Sequence, residues 1–343
     1  MNFGILGSGS WGTALAKILT DGGQTIYWYN RSQTAIDHIK TSNHNPQYLL
    51  TAHFNVSKLK LTTSPEEVIK NSDCILIAVP SAYADDVLSP LPKDIFVGKK
   101  IISAIKGILP QSNLLLNDYL KQHFKVPIEN YFAVLGPCHA EEVAAEKLSY
   151  LTFSGVDETV TNEIAAYFKT PYLNTITNND IYGVQYAAIL KNIYAVGAGI
   201  AYGLDYGDNF LSVLIANAAD EMASFLRKSG IKNIEVGHTD AQVNTKRRTN
   251  YAASVYLGDL LVTCYSLHSR NRSFGNMIGK GYSVKAAQLE MNMVAEGYNA
   301  SKCMFIINQT VDAEMPMAHT IYQILWKNLS AKEGFNKIEE SLI

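Results

Sequence analysis

The amino-acid sequence predicts an α/β domain with a doubly wound sheet, followed by an all-α domain. Up to about residue 135, short β-branched or aromatic runs alternate with helical segments, as in a parallel sheet with crossover helices. A glycine-rich motif directly follows the first run. After about residue 175 the segments become long, Ala-rich and helical, which indicates a second domain. We expect the two domains to span 1–178 and 179–343.

The strands of the first domain are predicted from β-branched and aromatic runs that lie between turn or helix-start signals. Ser64 and Pro65, for example, form a helix-start signal after the third run. Later apolar runs at Tyr150–Phe153 and Tyr172–Ile176 complete the sheet. The earlier strands are predicted at Asn2–Leu6, Thr25–Tyr29, Lys58–Thr62, Cys74–Val79, Lys100–Ala104 and Tyr131–Leu135. The helices of the second domain are predicted at Asp180–Tyr202, Asp208–Ser229, Asn250–His268 and Val284–Val311.

Composition and charge exclude several classes of protein. With 343 residues, 47% of them hydrophobic, the chain is long and apolar enough for two domains with cores. A net charge of -2 leaves no bulk field to hold nucleic acid or an anionic membrane. No apolar run reaches the length of a membrane span, and no basic segment precedes the first strand. The four widely spaced cysteines suit reduced thiols, so we expect a cytoplasmic protein without membrane insertion.

The glycine-rich motif Gly7–Gly12 lies between the first predicted strand and a helical segment. Gly7 permits the tight turn, Gly9 lets a pyrophosphate approach the backbone, and Gly12 lets the helix pack closely on the strand. This context predicts a dinucleotide cofactor. The alternative is a glycine-rich turn in some other α/β protein.

The tip of the second strand bears on the choice of cofactor, because a carboxylate there favours NAD and a cation accepts the extra phosphate of NADP. The segment Tyr29–Ser32 contains Arg31 and no acidic residue. It therefore favours NADPH or the use of both cofactors. The alternative is that Arg31 is an ordinary surface residue at a helix start.

Two isolated charges lie in apolar helical segments of the second domain. Lys191 is the only charge in Tyr186–Gly197, so it either extends to the surface or faces a cleft as a functional ammonium. Its neighbour Asn192 either holds an oxygen atom or bonds local backbone. Asp259 is isolated within Tyr256–Cys264, and a pair with Lys191 would satisfy both charges.

Further polar groups point to a phosphorylated ligand. The segment Ser269–Arg272 is a compact set of donors suited to a phosphate monoester, and the alternative is a solvated loop. Lys106 and the segment Gly136–Glu142 follow two strands of the first domain. They are therefore expected at the carboxyl edge of the sheet, where ligands bind in open α/β folds.

Taken together, these motifs resemble the bacterial type of NAD(P)-dependent glycerol-3-phosphate dehydrogenase over roughly residues 1–325. The resemblance implies a Rossmann-type first domain, cofactor NADP(H) and/or NAD(H), and reversible reduction of dihydroxyacetone phosphate to sn-glycerol 3-phosphate for glycerophospholipid synthesis. The matching segments are Gly7–Leu15, Val79–Ser81, Lys106–Gly107, Gly136–Pro137, Ala140, Glu142–Ala144, Leu190–Asn192, Gly258–Leu260, Thr263–Cys264, Ser269–Arg272, Phe274–Gly275 and Glu296–Tyr298.

The resemblance also implies roles for individual residues. Lys191 matches the catalytic lysine that exchanges a proton with the substrate, while Asp259 and Lys106 set the local field. With Asn192 included, the predicted substrate contacts are Lys106, Gly136, Cys138, Lys191, Asn192, Asp259, Ser269, Arg270 and Asn271. With the motif glycines included, the predicted cofactor contacts are Gly7, Gly9, Ser10, Trp11, Gly12, Arg31, Lys106, Ala140, Arg270, Val294 and Glu296.

Two other functions remain open at this stage. One is a dehydrogenase of the same plan that acts on another hydroxy acid or phosphorylated alcohol. The other is a cofactor sensor that has lost catalysis, although a sensor would need neither Lys191 nor Asp259 nor Arg270. No metal site is predicted, and the apolar helical domain leads us to expect a homodimer.

Overall fold

An eight-stranded sheet forms in the first half of the chain, in a computed structural model that describes residues 1–231, 253–291 and 295–342. The chain divides into two compact units, Met1–Ile181 and Tyr182–Ile343. The sheet belongs to the first unit. Its strands are β1 Phe3–Leu6, β2 Ile26–Tyr29, β3 Leu59–Thr62, β4 Cys74–Ile77, β5 Lys100–Ser103, β6 Tyr131–Leu135, β7 Ser149–Ser154 and β8 Leu173–Asn178.

The strand order of the sheet is β3-β2-β1-β4-β5-β6-β7-β8. All neighbours pair in parallel except β6 and β7, which are antiparallel. Phe3 of β1 faces Ile26 on one side and Cys74 on the other, so successive crossovers leave β1 in opposite directions. This is the switch point at which open α/β sheets bind ligands beyond their carboxyl ends. The predicted α/β class is confirmed, and the antiparallel pair is an addition to it.

Three helices of the first unit, α2, α3 and α7, start at side-chain caps that the sequence supplies. The side chain of Ser64 accepts the Glu67 N–H, and Pro65 opens the helix that follows. Large side chains such as Trp28 and Phe153 are fully buried in the core. The helices are α1 Ser10–Asp21, α2 Gln33–Ser42, α3 Pro65–Lys70, α4 Ser81–Leu88, α5 Leu116–Phe124, α6 Ala140–Ala144 and α7 Glu158–Ala166, with 3₁₀ turns at Val56–Lys58 and Ile128–Asn130.

A buried cation anchors α1, the helix behind the glycine-rich motif. Lys17 Nζ lies 2.8 Å from a carboxylate oxygen of Asp21 and 2.9 Å from one of Glu146. Tyr172 donates its hydroxyl to Asp21 at 2.6 Å. Burial alone lowers the pKa of Lys17, but its bonds to the two carboxylates outweigh burial and raise the pKa above its usual value. The charged network therefore ties α1 to the segment after α6 and to Tyr172, the residue before β8.

The second unit is helical, as predicted. At two places, however, shorter helices are found where the sequence predicts one long helix. The predicted helix Val284–Val311 is wrong, because Met291 and Ala295 take extended backbone and separate two helices. Within the described part of the predicted helix Asn250–His268, a π-helical turn at Ala253–Gly258 precedes a short α-helix. The helices are α8 Ile181–Gly203, α9 Asp208–Lys228, α10 Asp259–Tyr265, α11 Arg270–Gly279, α12 Val284–Glu290, α13 Glu296–Val311, α14 Pro316–Trp326 and α15 Ala331–Ser341. None of the described helices has the length and apolar character needed to cross a bilayer.

Helices α8 and α11 touch backbone to backbone. A Cβ atom added to Gly275 would lie 2.0 Å from the Val196 carbonyl oxygen, and one added to Gly199 would lie 2.1 Å from that of Arg272. Only glycine fits at such distances, because any side chain would separate the two helices. The contact fixes the spacing between the residues that the two helices carry.

A buried carboxylate joins α9 to the start of α14. Glu221 accepts the Met317 N–H at 2.8 Å, the Ala318 N–H at 2.9 Å and the Tyr194 hydroxyl at 3.1 Å. These two N–H groups lie in the first turn of α14, where they have no partner within the helix. Burial raises the pKa of Glu221 to about 7, although the donated hydrogen bonds oppose the shift.

Candidate functional site

The glycine-rich loop joins β1 to α1 and leaves an open face over Gly9. Gly7 has φ +124°, and a Cβ atom there would lie 2.8 Å from the Ala78 backbone. A Cβ atom on Gly12 would lie 2.2 Å from the Gly7 carbonyl oxygen, so the helix packs directly on the turn. Beyond its chain neighbours, no described atom lies within 4 Å of a Cβ placed on Gly9. The loop therefore has the room over Gly9 that a pyrophosphate requires.

Several buried polar atoms around this loop have no hydrogen-bond partner among the described residues. Trp11 Nε1 and both amide atoms of Asn30 are buried without a hydrogen bond to any described residue. Asn30 is 1% exposed and directly follows β2. Lys106 Nζ lies 4.8 Å from the centre of the Trp11 ring, a cation–π contact that brings two predicted cofactor contacts together. Buried unpaired donors and acceptors are costly, so they fit a site completed by a polar ligand.

Arg31 lies between Asn30 and the first turn of α2. Its side chain is exposed, and Ser32 after it accepts the Ala35 N–H as the cap of α2. A guanidinium beside a helix start suits an anion. The structure leaves open both of the sequence-based alternatives, the NADP phosphate contact and the ordinary surface residue.

Three predicted residues follow β6 at the carboxyl edge of the sheet. Gly136 has φ +135°, and a Cβ atom there would lie 2.9 Å from the Tyr150 carbonyl oxygen. Cys138 is 4% exposed, and Ala140 is the first residue of α6. Lys106 follows the neighbouring strand β5, so the structure places all four at the edge that the sequence predicts.

In the second unit, Lys191 and Asp259 form a buried ion pair. Lys191 Nζ lies 2.5 Å from Asp259 Oδ1, and the two side chains are 4% and 2% exposed. Lys191 therefore does not extend to the surface, and that alternative is wrong. The other oxygen, Oδ2 of Asp259, is buried without a hydrogen bond to the described residues. The pairing satisfies two charges that would each be costly to bury alone.

Thr263 completes the surroundings of the lysine. Its hydroxyl donates to the Asp259 carbonyl oxygen at 2.6 Å, and Lys191 Nζ donates to the same hydroxyl at 3.2 Å. The only sequence signal for Thr263 as a site residue is its spacing of four residues from Asp259, which puts both on one helix face. Its neighbour Cys264 is fully buried, and burial raises the pKa of that thiol to about 12, so Cys264 is no nucleophile.

A chain of amide hydrogen bonds joins three helices beside the lysine. Asn271 on α11 donates its Nδ2–H to Asn192 Oδ1 on α8 at 2.9 Å. The Gly297 N–H of α13 donates to Asn271 Oδ1 at 2.9 Å. Asn192 and Asn271 are both buried, and their hydrogen bonds fix the orientation of both amides one residue along α8 from Lys191.

The segment that is predicted to bind a phosphate lies at the start of a helix. The alternative of a solvated loop is therefore wrong. Ser269 caps α11 by accepting the Arg272 N–H at 3.3 Å, and Arg270 is the first residue of the helix. The Arg272 guanidinium lies 4.8 Å from the Tyr202 ring centre, so it packs against α8. Ser269, Arg270 and Asn271 therefore offer donors at a helix N-terminus, a setting that favours a phosphate.

The last two predicted cofactor contacts are Val294 and Glu296. Glu296 is the first residue of that helix and is partly exposed. Val294 lies outside the described residues. The second unit thus brings together Lys191, Asn192, Asp259 and Asn271, while the first unit brings together the glycine-rich loop, Trp11 and Lys106.

Comparison with known proteins identifies the family. Residues 2–161 match the model of the NAD-dependent glycerol-3-phosphate dehydrogenase N-terminus, and residues 180–336 match that of the C-terminus. The chain is 32% identical over 334 residues to glycerol-3-phosphate dehydrogenase [NAD(P)+] of Clostridium botulinum, covering 97% of this chain and 96% of that protein. It is 33% identical over 325 residues to the Bacillus subtilis protein of the same name, covering 94% and 89% of the two chains.

A solved structure agrees with these relatives. The crystal structure of glycerol-3-phosphate dehydrogenase from Coxiella burnetii has a TM-score of 0.85 and 26% sequence identity, covering 99% of this chain and 98% of that one. The predicted resemblance is therefore confirmed. The chain belongs to the NAD(P)-dependent glycerol-3-phosphate dehydrogenase family.

Proposed function

We propose that this enzyme reduces dihydroxyacetone phosphate to sn-glycerol 3-phosphate, reversibly and with NADPH or NADH. The observation that carries the proposal is the buried Lys191 ammonium, 2.5 Å from Asp259, on a helix that contacts the phosphate-suited start of α11. A proton donor and a phosphate cradle are the two features that a phosphorylated ketone needs from its enzyme.

The first unit supplies the cofactor site. The loop Gly7–Gly12 with α1 would hold the pyrophosphate, and Trp11, Lys106, Ala140 and Arg31 would contact other parts of the cofactor. When bound, the nicotinamide cofactor supplies or accepts the hydride. The buried unpaired atoms of Trp11 and Asn30 fit such a ligand, because they lack other partners among the described residues.

The second unit supplies the acid. Lys191 donates a hydrogen bond to the ketone oxygen, stabilises the developing alkoxide and then transfers a proton to it. Asp259 keeps the lysine charged, and Thr263 orients it. In the oxidation of the alcohol, the neutral lysine accepts the hydroxyl proton. Arg270, with Ser269 and Asn271, holds the phosphate, while Gly136 and Cys138 bound the substrate.

The wider setting follows from this chemistry. The product is the backbone precursor of glycerophospholipids, so the enzyme supplies lipid synthesis. Four free, buried cysteines support our placement of it in the cytoplasm. The largely apolar helical unit supports a homodimer, and light scattering after size-exclusion chromatography will determine the mass.

The first experiment is oxidation of NADPH, and separately of NADH, by the purified protein with dihydroxyacetone phosphate. Unphosphorylated dihydroxyacetone is the control substrate. We expect turnover only with the phosphorylated ketone, because the phosphate supplies the binding energy that orients the carbonyl. Cofactor binding without turnover on any ketone would favour the sensor instead.

The role of Lys191 is tested by Lys191→Met, which keeps most of the side-chain volume and removes the ammonium. We expect kcat to fall by more than about 10³-fold, since both charge stabilisation and the proton donor are lost. The matched control is Lys302→Met, because Lys302 is an exposed lysine of α13. Near-normal kcat in Lys191→Met would end the assignment of this residue.

The contribution of Arg31 is tested by Arg31→Ala. If the guanidinium binds the extra phosphate, the KM for NADPH rises about tenfold while that for NADH changes little, as expected for one hydrogen bond to a charged group. Equal changes for both cofactors would identify Arg31 as an ordinary surface residue.

A further inference from the structure

A buried amide outside the predicted site holds the glycine-rich loop. Asn45 lies between α2 and β3 and is 3% exposed. Its Nδ2 atom donates to the Ser8 carbonyl oxygen at 3.0 Å and to Thr13 Oγ1 at 2.9 Å. Its Oδ1 atom accepts the Gln47 N–H at 3.0 Å and the Tyr48 N–H at 3.3 Å. Both ends of the amide are therefore used, and one end holds the loop.

The bond to Ser8 determines which way the Ser8–Gly9 peptide faces. No peptide bond in the described residues is cis. In a trans peptide the carbonyl and the N–H point in opposite directions, so fixing the Ser8 carbonyl toward Asn45 turns the Gly9 N–H away from Asn45. A rotated peptide would present a carbonyl oxygen where the N–H had been, and an oxygen repels an anion.

The loop needs such a restraint because its own backbone is permissive. Ser8 lies between Gly7 and Gly9, and glycine accepts backbone conformations that other residues avoid. The same glycines that make room for a pyrophosphate also let the intervening peptide rotate. A side-chain hydrogen bond from a buried, fully bonded amide removes that freedom before the ligand arrives.

We propose that Asn45 is a positioning residue for the cofactor: it fixes the Ser8–Gly9 peptide so that the loop presents N–H groups to the pyrophosphate. This inference rests on the proposed use of NAD(P)H. In the proposed role, Asn45 acts through the loop and does not contact the substrate. It predicts a loss of cofactor affinity with little change in the later steps.

The test uses Asn45→Asp, which has the same shape. The carboxylate still accepts the Gln47 and Tyr48 N–H groups, but it opposes the Ser8 carbonyl oxygen instead of donating to it. We expect the Kd values of NADPH and of ADP-ribose to rise about tenfold or more, the effect of one lost hydrogen bond with a buried acceptor left unpaired. Both values are measured by titration calorimetry. At saturating cofactor, kcat and the KM for dihydroxyacetone phosphate stay within about twofold, because neither depends on a loop already filled by its ligand.

The matched control is Asn55→Asp. Asn55 is an exposed residue whose Oδ1 accepts the Ser57 N–H in the same kind of local turn. A second variant, Asn45→Ser, separates peptide orientation from added charge. The serine hydroxyl stays neutral and satisfies local backbone, but it is too short to reach the Ser8 carbonyl. We expect Asn45→Ser to weaken ADP-ribose as well, by at least about threefold.

The outcomes are distinguishable. Cofactor affinity in Asn45→Asp and Asn45→Ser equal to that of Asn55→Asp overturns the inference. Weaker binding in Asn45→Asp alone assigns the effect to charge and also overturns it. An equal rise in the KM for dihydroxyacetone phosphate, with a lower melting temperature, shows general loosening of the structure and overturns it too. Should Asn45→Asp not fold, the same comparison is made with Asn45→Ser. If the unmodified enzyme binds neither NADPH nor NADH, the proposed function fails instead.

Discussion

Asp259 is a carboxylate with two differently used oxygens. Oδ1 faces the Lys191 ammonium at 2.5 Å, while Oδ2 is buried without a hydrogen bond to the described residues. A buried charge normally has every lone pair satisfied, since desolvation is costly. The unused oxygen therefore suits a ligand hydroxyl, and the used one keeps the lysine protonated. In the proposed mechanism, Asp259 would thus serve both the acid and the substrate.

The residue-scale prediction concerns Asp259→Asn, which keeps the shape and removes the charge. We expect kcat for ketone reduction to fall about 10- to 100-fold, since a hydrogen bond to a charged group is worth about 1.5–3 kcal/mol.

The measurement is kcat with saturating NADPH and dihydroxyacetone phosphate. Asp220→Asn is the control, because Asp220 is an exposed acid on α9. A kcat in Asp259→Asn equal to that in Asp220→Asn would remove Asp259 from the proposed mechanism.

At the scale of elements, the close crossing of α8 and α11 holds the proposed site residues of the second unit in place. Lys191 and Asn192 lie on α8, while Arg270 and Asn271 lie on α11. The two helices meet at glycines and are joined again by the hydrogen bond between Asn192 and Asn271. The backbone contact therefore sets where the donor and the phosphate cradle lie relative to each other.

The element-scale prediction concerns Gly275→Ala. The added methyl group would lie 2.0 Å from the Val196 carbonyl oxygen, so α11 has to move away from α8. We expect the free energy of unfolding to fall by about 1–3 kcal/mol, as for other overpacked cores. The KM for dihydroxyacetone phosphate rises as well, because Arg270 moves with its helix.

Denaturant unfolding and steady-state kinetics measure these two effects. Gly207→Ala is the control, since a Cβ atom on Gly207 meets no described atom within 4 Å. Equal free energies of unfolding for the two variants would show that the helix contact accepts the added methyl group without loss of stability.

The strands were more predictable than the helices, for a physical reason. Runs such as Tyr131–Leu135 are apolar throughout and end at a glycine, so residue type alone fixes their bounds. The break between α12 and α13 follows residues without glycine or proline, and extended backbone at Met291 has no local signal. The antiparallel pairing of β7 likewise depends on the rest of the sheet, which a local pattern does not contain.

Some residues of the site were likewise predictable from the sequence, and others were not. Lys191 and Asp259 were predictable because charges in apolar helices need partners, and their ion pair forms as expected. Asn45, Thr263 and Glu221 were not selected, because asparagine, threonine and glutamate are common at surfaces and nothing in their neighbours signals burial. Whether the predicted contacts hold substrate and cofactor stays a prediction that the variants above test.

Across the whole molecule, buried charged groups make stability depend on pH. Glu221 joins α9 to α14, and burial raises its pKa from 4.5 to about 7. The unfolded chain ionises this group above pH 4.5, whereas the folded protein keeps its proton until about pH 7. The folded state thus binds more protons in this interval, and stability falls as the pH rises through it.

The prediction at this scale compares the protein with Glu221→Gln. Between pH 4.5 and 7, the free energy of unfolding of the unmodified protein falls relative to the variant by up to about 3 kcal/mol. Urea unfolding at several pH values measures the slope. Glu314→Gln, at an exposed position, leaves the slope unchanged. Parallel curves for Glu221→Gln and the unmodified protein would show that Glu221 is ionised throughout.

The glycine contact between α8 and α11 also bears on the length of ligand that the second unit accepts. Because the backbones of the two helices are in direct contact, the crossing sets the spacing between the parts of α8 and α11 that carry Lys191 and Arg270. A ligand must place its carbonyl oxygen and its phosphate at that one spacing to engage both. A phosphorylated ketone with one more or one fewer carbon between these groups gains only one of the two contacts. If Lys191 and Arg270 hold the substrate as proposed, we expect selection for the three-carbon ketone to depend on this helix crossing.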